Sequence, residues 1–373
     1  MIYFDDAATS RYKPREVKRA LLYSLRHSAN PGRGSHDEAI RGGVLVEETR
    51  DALCDLTDAK GAHVIFTKNC TEALNLAILG TARLGGHVVT TCLEHNSVLR
   101  PLHMLQKEGL ISLTVVQAKD GVIHAEAIRS AITEKTYLVA VTAMSNVTGF
   151  SPPLESIGEI CAQKGVKLLV DGAQAIGHKR ISFDKIGIDY LCGAGHKALH
   201  GIMGTGFLLY GKKNFVNPLM YGGTGTESDN LTQPSLPPES LESGTLNLLG
   251  IAALKEGIAW TKKHRENNES RIYDLSLYLH DALLQTGIPT YSVKGSPLLT
   301  FRIEGSSSGE VAELLNREYK IALRAGLHCA PLIHKALGTE KQGLVRASIG
   351  VHNTKKDAKK LIEAIKRIAG TTK

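Results

Sequence analysis

The chain has 373 residues, 42% hydrophobic and 22% charged, ordinary values for a globular protein that exclude a disordered or fibrous polypeptide. Its length points to two domains rather than one. The formal charge of +8 would suit a nucleic-acid partner, but Lys and Arg are dispersed, and the one dense basic stretch, "KKDAKKLIEAIKR" at 355–367, has helical spacing and reads as a solvated helix face.

At the start, "MIYFDDAATSRYKP" places two aspartates where a secretory leader needs basic and then apolar residues. No apolar run reaches the length of a membrane span. The expected location is the cytoplasm, with neither membrane nor nucleic acid as partner. The six cysteines, Cys54, Cys70, Cys92, Cys161, Cys192 and Cys329, show no CxxC pair and no zinc spacing, which fits reduced thiols and no metal site.

From about residue 60 to 210, short apolar runs alternate with helical patterns: "HVIFT", "HVVTTC", "LTVVQA", "YLVAVTAMS", "KLLVDGA", "YLCGAG" and "GTGFLLYG". Unbroken Val/Ile/Leu runs suit strands buried on both faces, so the spacing predicts a mostly parallel sheet covered by helices. Ligands in such sheets sit beyond the strand C-terminal ends. The segment 222–245, rich in Gly, Ser and Pro, reads as a long irregular loop. A helix over about 250–267 then leads to an α+β region: "PLLTFRIEG" as a strand, "SSGEVAELLNREY" as a helix capped by Ser308, "GLVRASIGVH" as a strand, and the basic helix.

Polar residues follow several of these runs. In "VIFTKNCTEALNLAILG", Thr71 stands at a helix start, where free N–H groups and the dipole could hold a phosphate; alone it is an N-cap. His95 of "TTCLEHNSVLRP" could lie flat on a cofactor ring or be a structural histidine. Asp171 of "LLVDGAQAIG", followed by Gln174, could hold a proton on a heteroaromatic nitrogen or close a turn. Lys197 of "YLCGAGHKALHGIMGTG" follows a buried strand among glycines. Desolvation there would keep its amine partly neutral, as Schiff-base chemistry requires; alone it is a surface lysine beside a Gly-rich turn.

Phosphate cup, flat imidazole, strand-end Asp and glycine-flanked Lys occur together in that order. The chain resembles the fold type I pyridoxal phosphate (PLP) enzymes of the aspartate-aminotransferase superfamily, and within them the class V branch of cysteine desulfurases and selenocysteine lyases. The likeness runs from "YFDDAATS" through "NPGRGSH", "CTEALN", "EHNSVLRP", "SNVTGF", "VDGAQAIG", "GHK", "ESGTLN" and "RAGLHCAP" to "VRASIGVHNT". It implies an α/β fold with a large, mostly parallel sheet domain over 15–258 and a small α+β domain from 1–14 with 259–373.

The resemblance implies Lys197 as the Schiff-base lysine, Asp171 on the pyridine nitrogen, Gln174 on the phenolic oxygen and His95 stacked on the ring. Thr71 and His196 would hold the phosphate. Thr245 of the "GT" motif would reach the neighbouring subunit's phosphate, which implies a homodimer with shared sites. Asn146 and Arg346 match the substrate-carboxylate pair, and His36 matches a further active-site histidine. Two departures stand out: Ala194 replaces a family serine, and Cys70-Thr71 replaces a Thr-Thr pair at the cofactor.

"RAGLHCAP", residues 324–331, is similar to the segment whose cysteine accepts sulfur, with Arg324 lining the site. Its short spacing resembles the SufS-like group. Arg324 and His328 beside Cys329 should favour the thiolate, the form that attacks. The implied activity is conversion of L-cysteine to L-alanine with a persulfide left on Cys329; a SufE-like or SufU-like protein or a low-molecular thiol would accept the sulfur, for iron–sulfur cluster assembly, tRNA or another product. Selenocysteine cleavage, or another class V aminotransferase or β-lyase reaction, is the alternative.

Overall fold

In a computed structural model, residues 1–31, 34–119 and 121–371 are described. All seven apolar runs form strands of one sheet. After β1 (Ile2–Tyr3) come β2 (His63–Thr67), β3 (Gly86–Thr91), β4 (Ile111–Val116), β5 (Thr136–Thr142), β6 (Lys167–Asp171), β7 (Tyr190–Ala194) and β8 (Gly206–Tyr210). The sheet order is β2-β8-β7-β6-β5-β3-β4. Only β8 runs antiparallel to its neighbours. Strands β5 and β7 are buried along their full length, as a sheet covered on both faces demands.

Two apolar cores flank this sheet. A third lies apart and gathers Phe4, Ile272, Leu279, Phe301, Leu315, Ile321 and Val345 with the inner face of the basic helix Lys355–Thr371, including Leu361 and Ile365. It packs against a three-stranded antiparallel sheet, β11-β12-β9, made of β9 (Leu298–Phe301), β11 (Arg324–Gly326) and β12 (Leu344–Ser348). The N-terminal β1 pairs in parallel with β10 (Ile321–Ala322), so the first residues of the chain join its last third.

Two boundaries differ from the sequence reading. The helix expected over 250–267 runs from Leu248 to Leu284, 37 residues and about 55 Å, passing from the large sheet's side to the third core. The polar run "KKHRENNES" holds no Gly or Pro that would stop it. The later helix is capped by Ser307 rather than Ser308, because Ser307 forms a reciprocal capping box with Glu310. Between Tyr210 and Leu248 there is neither helix nor strand, as the sequence predicts for 222–245. This loop is fastened to the sheet edge by Glu242, whose carboxylate meets the Arg50 guanidinium at 2.7 and 2.8 Å and accepts from the backbone N–H of Phe66 at 2.6 Å. Among the described residues, no helix is long and apolar enough to cross a membrane.

Candidate active site

Thr71, His95, Asn146, Asp171, Gln174, His196 and Lys197 stand at or beyond the C-terminal ends of β2, β3, β5, β6 and β7. After β2, the helix Cys70–Gly80 is capped by Asn69, whose Oδ1 accepts from the backbone N–H of Glu72 and whose carbonyl accepts from that of Ala73. The N–H groups of Cys70 and Thr71 have no partner among the described residues and remain available to an anion. Gly206 of β8 lets this turn pack closely, since a Cβ there would sit 2.3 Å from the Asn69 carbonyl carbon.

After β3, His95 caps the helix Asn96–Lys107. Its Nδ1 accepts from the backbone N–H of Ser97 at 3.1 Å and lies 2.9 Å from Ser97 Oγ. Burial lowers its pKa; Lys197, Arg324 and Arg346 push the same way against the opposing pull of Asp171. The imidazole is therefore neutral with its proton on Nε2, the form that can lie flat on a ring. Ser97 Oγ also meets Thr71 Oγ1 at 2.8 Å, which ties the imidazole to the anion-binding turn.

After β6, Asp171 is buried, and its Oδ1 accepts from the backbone N–H of Ala173 at 2.9 Å and the Cys70 thiol at 3.7 Å. Cys70, expected at the phosphate, thus turns its side chain to Asp171, and burial keeps that thiol protonated by raising its pKa well above the usual value. Gln174 donates from Nε2 to the carbonyl of Ala7 at 3.0 Å, leaving its second amide proton free. After β7, burial lowers the pKa of Lys197, with Asp171 and Cys70 opposing, and Arg346 and Arg324 reinforcing the effect. His196, its pKa lowered to about 4 by burial, has a buried Nδ1 with no partner.

The three-stranded sheet β11-β12-β9 supplies the opposite wall. Arg346 of β12 is 1% exposed; it donates to the carbonyl of Asn146 at 2.9 Å and meets Asp5 Oδ1 at 3.3 Å. Burial lowers its pKa to about 10. Asn146 in turn donates from Nδ2 to the carbonyl of His328 at 2.6 Å. His328 and Cys329 have φ of +49° and +58°, consecutive left-handed residues that make a sharp turn after β11. Cys329 is partly exposed, whereas Cys70, Cys92, Cys161 and Cys192 are buried; all six cysteines are free thiols.

One sequence expectation needs correction. His328 cannot favour the Cys329 thiolate by charge: burial drives its pKa to about 2, and its Nε2 is engaged with the carbonyl of Leu344 at 3.0 Å. Buried Arg346 is within electrostatic range of Cys329, while Arg324 is exposed on β11. His36 lies at the exposed N-cap of the helix Asp37–Thr57, and Thr245 is exposed at the end of the irregular loop; no contact joins either to the cluster around Lys197 among the described residues.

The structure adds residues that sequence reasoning did not single out. Glu94 is fully buried before His95, and burial raises its pKa to about 8; Thr91 donates to its Oε1 at 2.6 Å. Asp5 is the carboxylate on Arg346. Lys13, Thr9 and Ser10 surround the carbonyl of His196. The "DDAATS" and "EHNSVLRP" spellings contain Asp5, Thr9, Ser10 and Glu94 but give no hint of which groups these side chains meet.

Comparison with known proteins shows the family. The aminotransferase class-V family model matches residues 2–361. A probable cysteine desulfurase of Methanothermobacter thermautotrophicus is 34% identical over 98% of this chain and 94% of its own. One of Pyrococcus abyssi is 32% identical over 99% and 94%. Among solved structures, the apo cysteine desulfurase of Thermococcus onnurineus has a TM-score of 0.91 at 30% identity, covering 99% of this chain and 95% of that one. The Escherichia coli cysteine desulfurase CsdA, in an S-sulfonic acid form, has a TM-score of 0.88 at 29% identity, covering 99% and 94%. The family model spans nearly the whole chain and relatives above 30% identity cover it almost completely, so the chain belongs to the class-V aminotransferase family of fold type I PLP enzymes.

Proposed function

We propose that the protein is a PLP-dependent cysteine desulfurase that converts L-cysteine to L-alanine and leaves the sulfur as a persulfide on Cys329. The observation that carries this reading is a partly exposed thiol on a fixed turn, Cys329, opposite a strand-end set of His95, Asp171 and a half-buried Lys197. The residues present fit the cofactor. The free N–H groups of Cys70 and Thr71 with the unpartnered His196 Nδ1 suit its phosphate, and Gln174 has a spare amide proton for its phenolic oxygen. Bound PLP supplies an electron sink for charge developing at the substrate Cα.

The protein's own groups divide the remaining work. Lys197, its ammonium disfavoured by burial, takes the Cα proton. Asp171 holds a proton on the ring nitrogen. Arg346, Asn146 and Arg324 receive the substrate carboxylate, a task suited to the planar guanidinium fork. The Cys329 thiolate attacks the substrate sulfur: an S–S bond forms, the C–S bond breaks with its electron pair passing to carbon, and the carbon is protonated and leaves as alanine.

The rest of the reading concerns assembly and partners. Residues 15–258 would form the large domain, and 1–14 with 259–373 the small one; the third apolar core draws only on the latter set. Thr245, exposed at the loop end, would serve the site of a second copy in a homodimer, and His36 would be a further active-site histidine. The fixed Cys329 turn supports the SufS-like group and a SufE-like or SufU-like protein as acceptor. The test is to incubate PLP-loaded protein with L-cysteine and a reductant and to measure alanine and sulfide together, with Cys329→Ser in parallel. Equal yields that vanish in the variant support the reading; pyruvate in place of alanine, or yields independent of Cys329, overturn it.

A further inference from the structure

The turn that carries Lys197 is gripped by the N-terminal segment. The carbonyl oxygen of His196, the atom immediately before Lys197 in the chain, accepts from the backbone N–H of Ser10 at 3.1 Å, Ser10 Oγ at 3.1 Å, Thr9 Oγ1 at 3.2 Å and Lys13 Nζ at 3.4 Å. The same Lys13 ammonium donates to the carbonyl of Gly201 at 2.6 Å and to Ser10 Oγ at 2.8 Å. Within the turn, the N–H of Gly201 donates to the carbonyl of Gly195, and that of His200 to the carbonyl of Lys197, both at 2.9 Å. Lys13 therefore bridges the entry and exit of a closed turn with Lys197 inside it.

The turn has little slack to absorb the loss of that bridge. A Cβ at Gly201 would come within 2.8 Å of the Gly195 carbonyl oxygen, and one at Gly195 within 2.4 Å of Thr205 Oγ1. A peptide plane whose oxygen is held by a cation and three further donors cannot rotate without breaking several bonds. That plane sets the direction in which the Lys197 side chain leaves the backbone, and a displacement of about 1 Å at a reacting group costs on the order of 100-fold in rate.

We propose that Lys13 is a positioning residue for Lys197: its ammonium fixes the His196–Lys197 peptide and so sets where the Lys197 amine stands for proton transfer at the substrate Cα. This rests on Lys197 being the lysine that carries PLP. Lys13 touches no reacting atom. Its charge is confined by burial, which lowers its pKa to about 8, and supported by Asp6.

The experiment compares PLP-loaded wild-type protein with Lys13→Met, Lys13→Arg and Ser10→Ala. It measures kcat and KM for L-cysteine, the visible circular dichroism of the bound cofactor, the melting temperature, and the lysine to which borohydride fixes PLP, located by peptide mass spectrometry. Lys13→Met should lower kcat by roughly 10- to 100-fold with KM within about 3-fold, and weaken or invert the visible dichroism. Lys13→Arg, which keeps the cation, should recover most of both. If Lys13→Met does not fold, Ser10→Ala should show the same signature at roughly 3- to 10-fold. The proposal is overturned if Lys13→Met keeps kcat and the dichroism, or if kcat, KM and melting temperature fall together with no recovery in Lys13→Arg. Fixation of wild-type PLP on another lysine would instead refute the reading of Lys197 itself.

Discussion

The backbone N–H of Asn96 donates to the carbonyl of Cys329 at 2.7 Å. Asn96 follows His95 directly, so one hydrogen bond ties the proposed nucleophile's main chain to the helix that holds the imidazole. With the Asn146 bond to the carbonyl of His328 and the Ala330 N–H donating to the carbonyl of Leu327 at 2.9 Å, the thiol sits on a turn fixed at three consecutive carbonyls.

The Asn146 side chain is the first place to test that fixation. Asn146→Ala leaves the buried carbonyl of His328 without its donor, which should destabilise the protein by about 1–3 kcal/mol. The expected outcome is a lower midpoint in urea unfolding and a higher KM for L-cysteine. An unchanged midpoint would mean that the turn holds without it.

Asp171→Asn should retain the acceptor for Ala173 and Cys70 on its amide oxygen yet lose the charge that holds a proton on the ring nitrogen. We expect the alanine-forming kcat to fall by at least about 100-fold, with the protein still folded and PLP still bound. Steady-state rates and the absorbance of the loaded variant check this, and a kcat within a few-fold of wild type would remove Asp171 from that role.

The pH dependence of stability has a definite sign at His328. Its pKa falls from 6.5 toward about 2 on folding because burial disfavours the imidazolium. Below pH 6.5 the unfolded chain takes up a proton that the folded one refuses, so stability is full above 6.5 and is lost as pH falls. His328→Gln, which can still donate to the Leu344 carbonyl, should flatten the decline in melting temperature between pH 7 and 5. His196 and His200, each lowered to about 4, contribute the same sign and leave a residual slope.

Arg50→Ala, a change at a buried position of the helix Asp37–Thr57, should be strongly destabilising. It would leave Glu242, whose side chain is 6% exposed, without a counter-ion, a change worth about 3–5 kcal/mol for a buried pair. Chemical denaturation should show the loss. Increased proteolysis within 211–247 should accompany it, since Glu242 fastens that loop to β2 through Phe66.

The sheet was legible because its strands are unbroken Val/Ile/Leu runs, a signal that needs no knowledge of partners. The strand-end positions of Thr71, His95, Asp171 and Lys197 followed from the same runs. The end of the long helix was missed because "RENNES" carries no stop signal and the helix continues by packing Ile272, Leu275 and Leu279 into the third core. The neutrality of His328 and the grips of Asp5 and Lys13 were hidden for a different reason. Their partners lie far away in sequence, Arg346 341 residues from Asp5 and His196 183 residues from Lys13, and nothing local records such pairings.

That separation also orders events during synthesis. Residues 1–13 leave the ribosome about 300 residues before their partners, since β1 needs Ile321, Ala7 needs Ser348 and Asp5 needs Arg346 before any of them has a place. Domains generally form as their segments emerge, so the large sheet can assemble while the leading end still waits. The site is therefore closed only after residues up to Ser348 have been made, and a nascent chain truncated before Ser348 should hold the cofactor-binding strands without a finished site.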